Sequence, residues 1–254
     1  MGRYAVLLGN DILDREHYGS DFGLNAPMND LDVMGHICDV ENISFTKLYN
    51  SGSNEVQQEI VALSQNAVSG DFVVIYFSGH GTQIPDFIGD ELDGYSESWC
   101  LYDRCFIDNE INSLLCEFKK GVRILVISDS CHSGSIAKLF PGHKSEVKVK
   151  TVSDIYDRNK NFYDSILRSV GPSRDPRASV ISISACLDSQ EAEERNGFSD
   201  FTKALSDVWN HGLYQRNYVM FTSDIGERTP NATPQITQMG FNDISFINSK
   251  PFKR

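Results

Sequence analysis

Two short apolar runs organise the hydrophobic pattern of this chain. Residues 72–77 are continuously apolar and residues 122–127 nearly so; the first ends in Ser78-Gly79-His80-Gly81, the second in Ser128-Asp129-Ser130-Cys131-His132-Ser133-Gly134. Apolar runs of that length read as strands buried on both faces, and therefore as parallel neighbours in an α/β sheet. Strand and helix patterns alternate around them. Residues 3–9 predict a first strand, 29–38 a helix with Leu31, Met34 and Ile37 on one side, and 43–49 a second strand. Residues 53–68 predict a helix, with Val56, Ile60, Leu63 and Ala67 at helical spacing. After the His80 strand comes a long acidic loop, then a short helix at 109–118. Beyond the Cys131 strand, residues 178–185 predict another strand, 201–211 a helix and 243–248 a final edge strand; 218–225 fits either period. No internal repeat or low-complexity tract interrupts the pattern.

In open parallel sheets, ligand sites form beyond the carboxyl ends of the strands. One such end here carries an imidazole and the other a thiol. A free thiol ionises near pH ~8.5, and a nearby imidazole can hold it as thiolate and later protonate a leaving group. His80 and Cys131 lie 51 positions apart, so only the fold can join them, and a strand-helix-strand connection sets neighbouring strand ends side by side. A Cys131–His80 dyad is the expected chemistry. His132 is a rival base, but adjacent side chains at a strand end point to opposite faces. The order histidine-then-nucleophile, with Asp129 where a nucleophile elbow needs glycine, argues against an α/β-hydrolase. His17, His36, His143 and His211 are assigned no catalytic role, and Trp99 and Trp209 are read as core.

Composition narrows the class. The 254 residues carry a net charge of −12, which argues against a nucleic-acid surface. No stretch approaches the ~20 apolar residues of a membrane span, no secretory leader is evident, and Val6 stands where a myristoylation signal needs Ser or Thr; the expected location is cytoplasmic. The six cysteines, at 38, 100, 105, 116, 131 and 186, show no Cys-x-x-Cys pair. Cys38, Cys116 and Cys186 are read as small core hydrophobes, and Cys100 with Cys105 lacks the second pair that zinc would need. Residues 138–177 contain nine Lys or Arg against five acids, with Pro141-Gly142 and Gly171-Pro172, and read as a basic exposed loop.

The histidine and cysteine motifs together resemble those of caspase-like cysteine peptidases, specifically metacaspases and their bacterial relatives. Leu24-x-Ala26-x-x-Asn29-Asp30, Gly89-Asp90-Glu91-x-Asp93-Gly94 and Ser184-Ala185-Cys186-x-Asp188-x-Gln190 extend the resemblance over most of the chain. It implies a three-layer α/β sandwich, a mostly parallel sheet of about six strands with helices on both faces. The expected organisation is one domain over 1–254: a larger catalytic part (1–137), the basic loop (138–177) and a smaller part (178–254). By the same resemblance Cys131 is the nucleophile, His80 the general base and acid, and the Gly81 and Cys131 N–H groups the oxyanion hole; no third triad member is evident.

The family's acidic S1 pocket maps onto Asp30, Ser78, Asp129 and Asp188. The expectation is cleavage after Arg or Lys through an acyl-enzyme thioester, with protein or peptide substrates. An activating protease or regulatory protein is an expected partner, and the basic loop is expected to be a processing site. Asp90, Asp93, Asp108 and Asn109 could contribute to the family's calcium site. Lys138, seven residues past Cys131, would repel the ion, so the expectation is that no cofactor is needed. A catalytically silent caspase-like scaffold and a small-molecule cysteine hydrolase or acyltransferase are the alternatives.

Overall fold

The structure is a computed structural model that describes residues 1–86, 88–89, 94–130, 155–185, 194–229 and 232–253. Five parallel strands form its centre: β1 (Arg3–Gly9), β2 (Ser44–Tyr49), β3 (Phe72–Ser78), β7 (Arg123–Asp129) and β8 (Ser179–Ser184). An antiparallel edge strand, β11 (Gln235–Gly240), completes a six-stranded sheet ordered β11-β8-β7-β3-β1-β2. All seven residues of β3 are buried, which explains its unbroken apolar sequence: both faces are covered.

One face packs against α2 (Pro27–Val40), α6 (Asp200–Trp209) and α7 (Tyr218–Gly226). Leu7, Tyr76 and Ile127 meet Leu31, Met34, Leu205 and Phe221 there. The other face packs against α3 (Ser53–Asn66) and α4 (Asp108–Cys116), where Val73, Ile75 and Ile124 meet Val56, Ile60, Leu114 and Phe118. This is the expected three-layer sandwich. Trp99 and Trp209 are buried, as read from the sequence.

Three local expectations are corrected, and the ambiguous segment 218–225 is resolved. The segment after His80 is not simply an acidic loop: β4 (Gly81–Pro85), β5 (Tyr95–Cys100) and β6 (Cys105–Ile107) form a three-stranded antiparallel sheet. Its buried residues, Ile84, Trp99, Phe106 and Ile107 among them, are interleaved with polar ones that dilute the apolar signal. Residues 160–170 of the basic stretch are a helix, α5 (Lys160–Val170). Its Tyr163 and Leu167, four apart on one face, are buried with Ile155, Ile84, Cys100 and Cys105 in a third core. Charge hid the helical period, because the basic residues occupy the solvent side. Residues 218–226 are helical, and the final edge strand is β11, not 243–248, where a short helix α8 (Ile244–Ile247) starts at the Asp243 side-chain cap. Residues 138–154 of the expected loop lie outside the described residues, while 155–159 and 171–177 flank α5.

Candidate active site

The parallel register aligns Gly9, Ser78 and Asp129 at one level across β1, β3 and β7. The chain therefore leaves the sheet towards His80 and towards Cys131 from adjacent strand ends. Cys131 itself lies outside the described residues, as do His132, Lys138, His143, Cys186, Asp90, Asp93 and Asp188. Ser130, its predecessor, is buried, and its hydroxyl lies 2.9 Å from Ser128 Oγ. Ser128 Oγ in turn accepts from Trp99 Nε1 at 2.9 Å, and the Trp99 ring stacks on Phe77 at 4.9 Å. The approach to the thiol is thus tied to β3 and β5 through buried, oriented groups.

His80 is fixed at both backbone and ring. Gly79 N donates to the Asp129 carbonyl at 3.3 Å, and the His80 carbonyl accepts from Cys100 N at 2.9 Å. Position 79 requires glycine, since a Cβ would lie 2.8 Å from the Phe77 ring and 3.0 Å from the Asn10 carbonyl oxygen. The ring's Nε2 lies 2.7 Å from the Phe22 carbonyl oxygen. A carbonyl can only accept, so Nε2 carries the proton and, in the neutral imidazole, Nδ1 holds the lone pair. The ring is thereby set up to take a proton through Nδ1.

Phe22 supplies that carbonyl from a loop held at several points. Its φ of 41° is in the left-handed region, where a bulky residue stores strain of ~1–3 kcal/mol. The Arg15–Asp21 ion pair, Leu13 N to the Asp21 carbonyl (2.9 Å) and Leu24 N to the Asp11 carbonyl (2.9 Å) hold the loop in that state. The partner of the imidazole was not readable in the sequence because it is a backbone oxygen, which no residue type signals.

Three of the four expected pocket residues come together. Asp30, in the first turn of α2, is fully buried and accepts from Ser78 Oγ at 2.8 Å and from Ser199 N at 3.1 Å. Asp129 Oδ2 accepts from Ser199 Oγ and Thr202 Oγ1, both at 2.5 Å. Ser199 thus bridges the two carboxylates while capping α6 through Phe201 N and Thr202 N. It is placed by a hairpin, β9 (Glu194–Arg195) and β10 (Phe198–Ser199), whose two-residue turn has positive φ at Asn196 and Gly197, the Asn-Gly type I′ signature. Asn29 Nδ2 holds that turn through the Gly197 carbonyl at 2.6 Å. Burial, reinforced by the charges of Asp30 and Asp129, pushes the neighbouring Tyr76 hydroxyl well above its ordinary value. Ser199 and Thr202 were missed in the sequence; the Asn196-Gly197 pair was the available signal.

The other described candidate residues separate from this cluster. Gly81 pairs with Trp99 in the small sheet. Asn109 Nδ2 turns to the Gly171 carbonyl and Ser173 Oγ, and Asp108 Oδ1 accepts from Asn109 N. Among the described residues no group of three or more His, Cys, Asp or Glu is placed to hold a metal ion. Burial pushes the Cys38 thiol up to about 12, which suits a core filler. Cys116 is partly exposed.

Residues 3–238 match the family model of the caspase domain, a peptidase family. The chain belongs to the caspase family of cysteine peptidases. Curated relatives are metacaspases. Metacaspase-6 of Arabidopsis thaliana is 38% identical over 150 residues, 54% of this chain and 39% of its own. Metacaspase-8 of the same plant is 28% identical over 153 residues, 51% of this chain and 40% of its own. The chain thus spans less than half the length of these two relatives. A crystal structure of a Geobacter sulfurreducens protein superposes with a TM-score of 0.88 at 33% identity, covering 100% of this chain and 99% of that one. Caspase-1 of Spodoptera frugiperda superposes with a TM-score of 0.58 at 11% identity, over 95% of this chain and 87% of that one, a likeness of fold. No described helix of this caspase domain is long and apolar enough to cross a membrane.

Proposed function

We propose that this caspase domain is a cysteine endopeptidase that cleaves protein chains after Arg or Lys. The observation that carries the specificity is the pair of buried carboxylates, Asp30 and Asp129, bridged by Ser199 at the strand ends that lead into His80 and Cys131. Neutral hydroxyl and amide donors keep both carboxylates oriented, and a desolvated acidic pocket selects a cationic side chain strongly. In the proposed cycle His80 Nδ1 takes the Cys131 proton and the thiolate attacks the scissile carbonyl carbon. The oxyanion is received by the Gly81 and Cys131 N–H groups. His80 then protonates the leaving amine, and water hydrolyses the thioester with His80 as base.

Fluorogenic peptides with P1 Arg, Lys or Asp, assayed with and without chelator, test this reading. The expected result is a preference of at least about 100-fold for Arg or Lys over Asp, unchanged in chelator, because the proposal includes independence from calcium. Preference for Asp would overturn the pocket, and absence of turnover on every peptide would overturn the peptidase.

Processing in the basic stretch belongs to the same proposal, with its sites narrowed. A peptidase takes its substrate extended, whereas α5 is folded with Tyr163 and Leu167 buried. That excludes Lys160 and Arg168, and the proposed cuts follow Lys138, Lys144, Lys148, Lys150, Arg158, Arg174 or Arg177. On incubation, intact mass should show cleavage at one of these in the wild-type chain and none in Cys131→Ala; an uncut, active wild-type chain would refute self-processing.

A further inference from the structure

Cys100 and Cys105 face one another directly across β5 and β6. Their backbone amides point away from each other: Cys100 N donates to the His80 carbonyl at 2.9 Å, and Cys105 N to Tyr163 Oη at 3.0 Å. The next pair outward bonds instead, Leu101 N to the Arg104 carbonyl at 3.1 Å. Cys100 and Cys105 are therefore a non-hydrogen-bonded antiparallel pair, the kind whose Cα atoms lie about 4.5 Å apart with side chains on one face. That spacing is within the range a disulfide spans, about 4.4–6.8 Å. Both thiols are buried and free.

We propose that Cys100 and Cys105 form an oxidant-sensitive modification site, a dithiol that peroxide converts to a cross-strand disulfide. Cys105 is the attacking sulfur. Burial pushes its thiol up, but the adjoining Cys100 thiol and Tyr163 hydroxyl outweigh burial and hold it below the ordinary thiol range. The hydrogen bond to Cys105, then burial, pushes Cys100 well up, so Cys100 is the resolving thiol. The Cys105 sulfur displaces hydroxide from the peroxide as the O–O bond breaks, giving the sulfenic acid. The Cys100 sulfur then attacks the Cys105 sulfur, the S–O bond breaks and water leaves; two thiol hydrogens and one peroxide have become a disulfide and two waters.

The proposal includes entry of peroxide by local opening of the turn at Tyr102 and Asp103, where Tyr102 is exposed; that opening must release the Asp103 carboxylate from Ser53 N and Oγ, which costs less than global unfolding. The site adjoins the strand end that carries the imidazole, because the Cys100 amide holds the His80 carbonyl. It does not depend on the peptidase reading.

The test uses Cys131→Ala, which removes the proposed nucleophile from the redox chemistry, and repeats on the wild-type chain. After hydrogen peroxide, free thiols are alkylated in denaturant and the chain is digested with trypsin without reductant. Trypsin cuts after Arg104, between the two cysteines, so the disulfide joins residues 48–104 to residues 105–119, which a reductant separates; because the second peptide also carries Cys116, fragmentation of the linked pair assigns the bond to Cys105 or Cys116. The expected result is that linked pair as the main oxidised product, with the intact mass lowered by two hydrogens. In Cys100→Ser, dimedone should trap a sulfenic acid on Cys105 with no link formed. Full alkylation of both cysteines after peroxide, or a link from either one to a different cysteine, would overturn the proposal.

Discussion

Replacing His80 by alanine is expected to lower kcat by about 10³- to 10⁴-fold while leaving KM within a few-fold. The imidazole is assigned two proton transfers, each of a kind worth about 10²–10⁴-fold. Without it the thiol must ionise unaided, near its ordinary pKa of ~8.5. The residual activity of His80→Ala should therefore climb as pH rises through 8–9, where the wild-type rate has levelled. That pH signature separates a chemical role from a structural one. The ring contributes little to the core, so the variant should fold, and its thermal transition serves as the control. Activity within about tenfold of wild type, or a loss matched by a fallen melting temperature, would remove His80 from the chemistry. The geometry behind the prediction is the Nε2 contact to the Phe22 carbonyl, which fixes the tautomer before substrate arrives and so removes one reorganisation from the reaction.

What the sequence disclosed and what it hid follow one physical division. Strands buried on both faces announce themselves, because each position must be apolar, and β3 and β7 were readable for that reason. The reactive ends were equally plain: Ser78-Gly79-His80-Gly81 and Asp129-Ser130-Cys131 concentrate chemistry at the point where an apolar run stops. The small antiparallel sheet was not readable, since its strands mix buried Ser96, Ser98 and Gln83 with apolar neighbours and are flanked by acids. Helix α5 was hidden by its charge, the apolar face being only one turn wide at Tyr163 and Leu167. At the site, side chains in the strand-end motifs were legible, whereas the Phe22 carbonyl and the contributions of Ser199 and Thr202 depend on a loop and a hairpin arriving from elsewhere in the chain. Sequence pattern reports what a residue is; it does not report which distant backbone oxygen the fold delivers to it.

Asp129→Asn should separate recognition from stability at the proposed pocket. The amide keeps the shape of the carboxylate, and its Oδ1 can accept the two hydroxyl donors, Ser199 Oγ and Thr202 Oγ1, that now converge on Asp129 Oδ2. What it removes is charge. Loss of one member of a desolvated charge pair costs about 2–5 kcal/mol, and each 1.4 kcal/mol is about tenfold. kcat/KM on a P1-Arg peptide should fall between about 30-fold and several thousand-fold, with a smaller loss for a peptide whose P1 side chain is neutral. Stability should move the other way or not at all. Asp30 and Asp129 are like charges bridged by a single residue, Ser199, and neutralising one relieves their repulsion, so the melting temperature should hold or rise. A trade between activity and stability is the mark of a site kept charged for a ligand's sake. If the activity loss were accompanied by a fall in melting temperature and were equal for Arg and neutral P1 side chains, Asp129 would be a structural carboxylate that caps and fastens α6. Asp30→Asn makes the same comparison from the α2 side, where Ser78 Oγ and Ser199 N are the donors that the amide oxygen must retain.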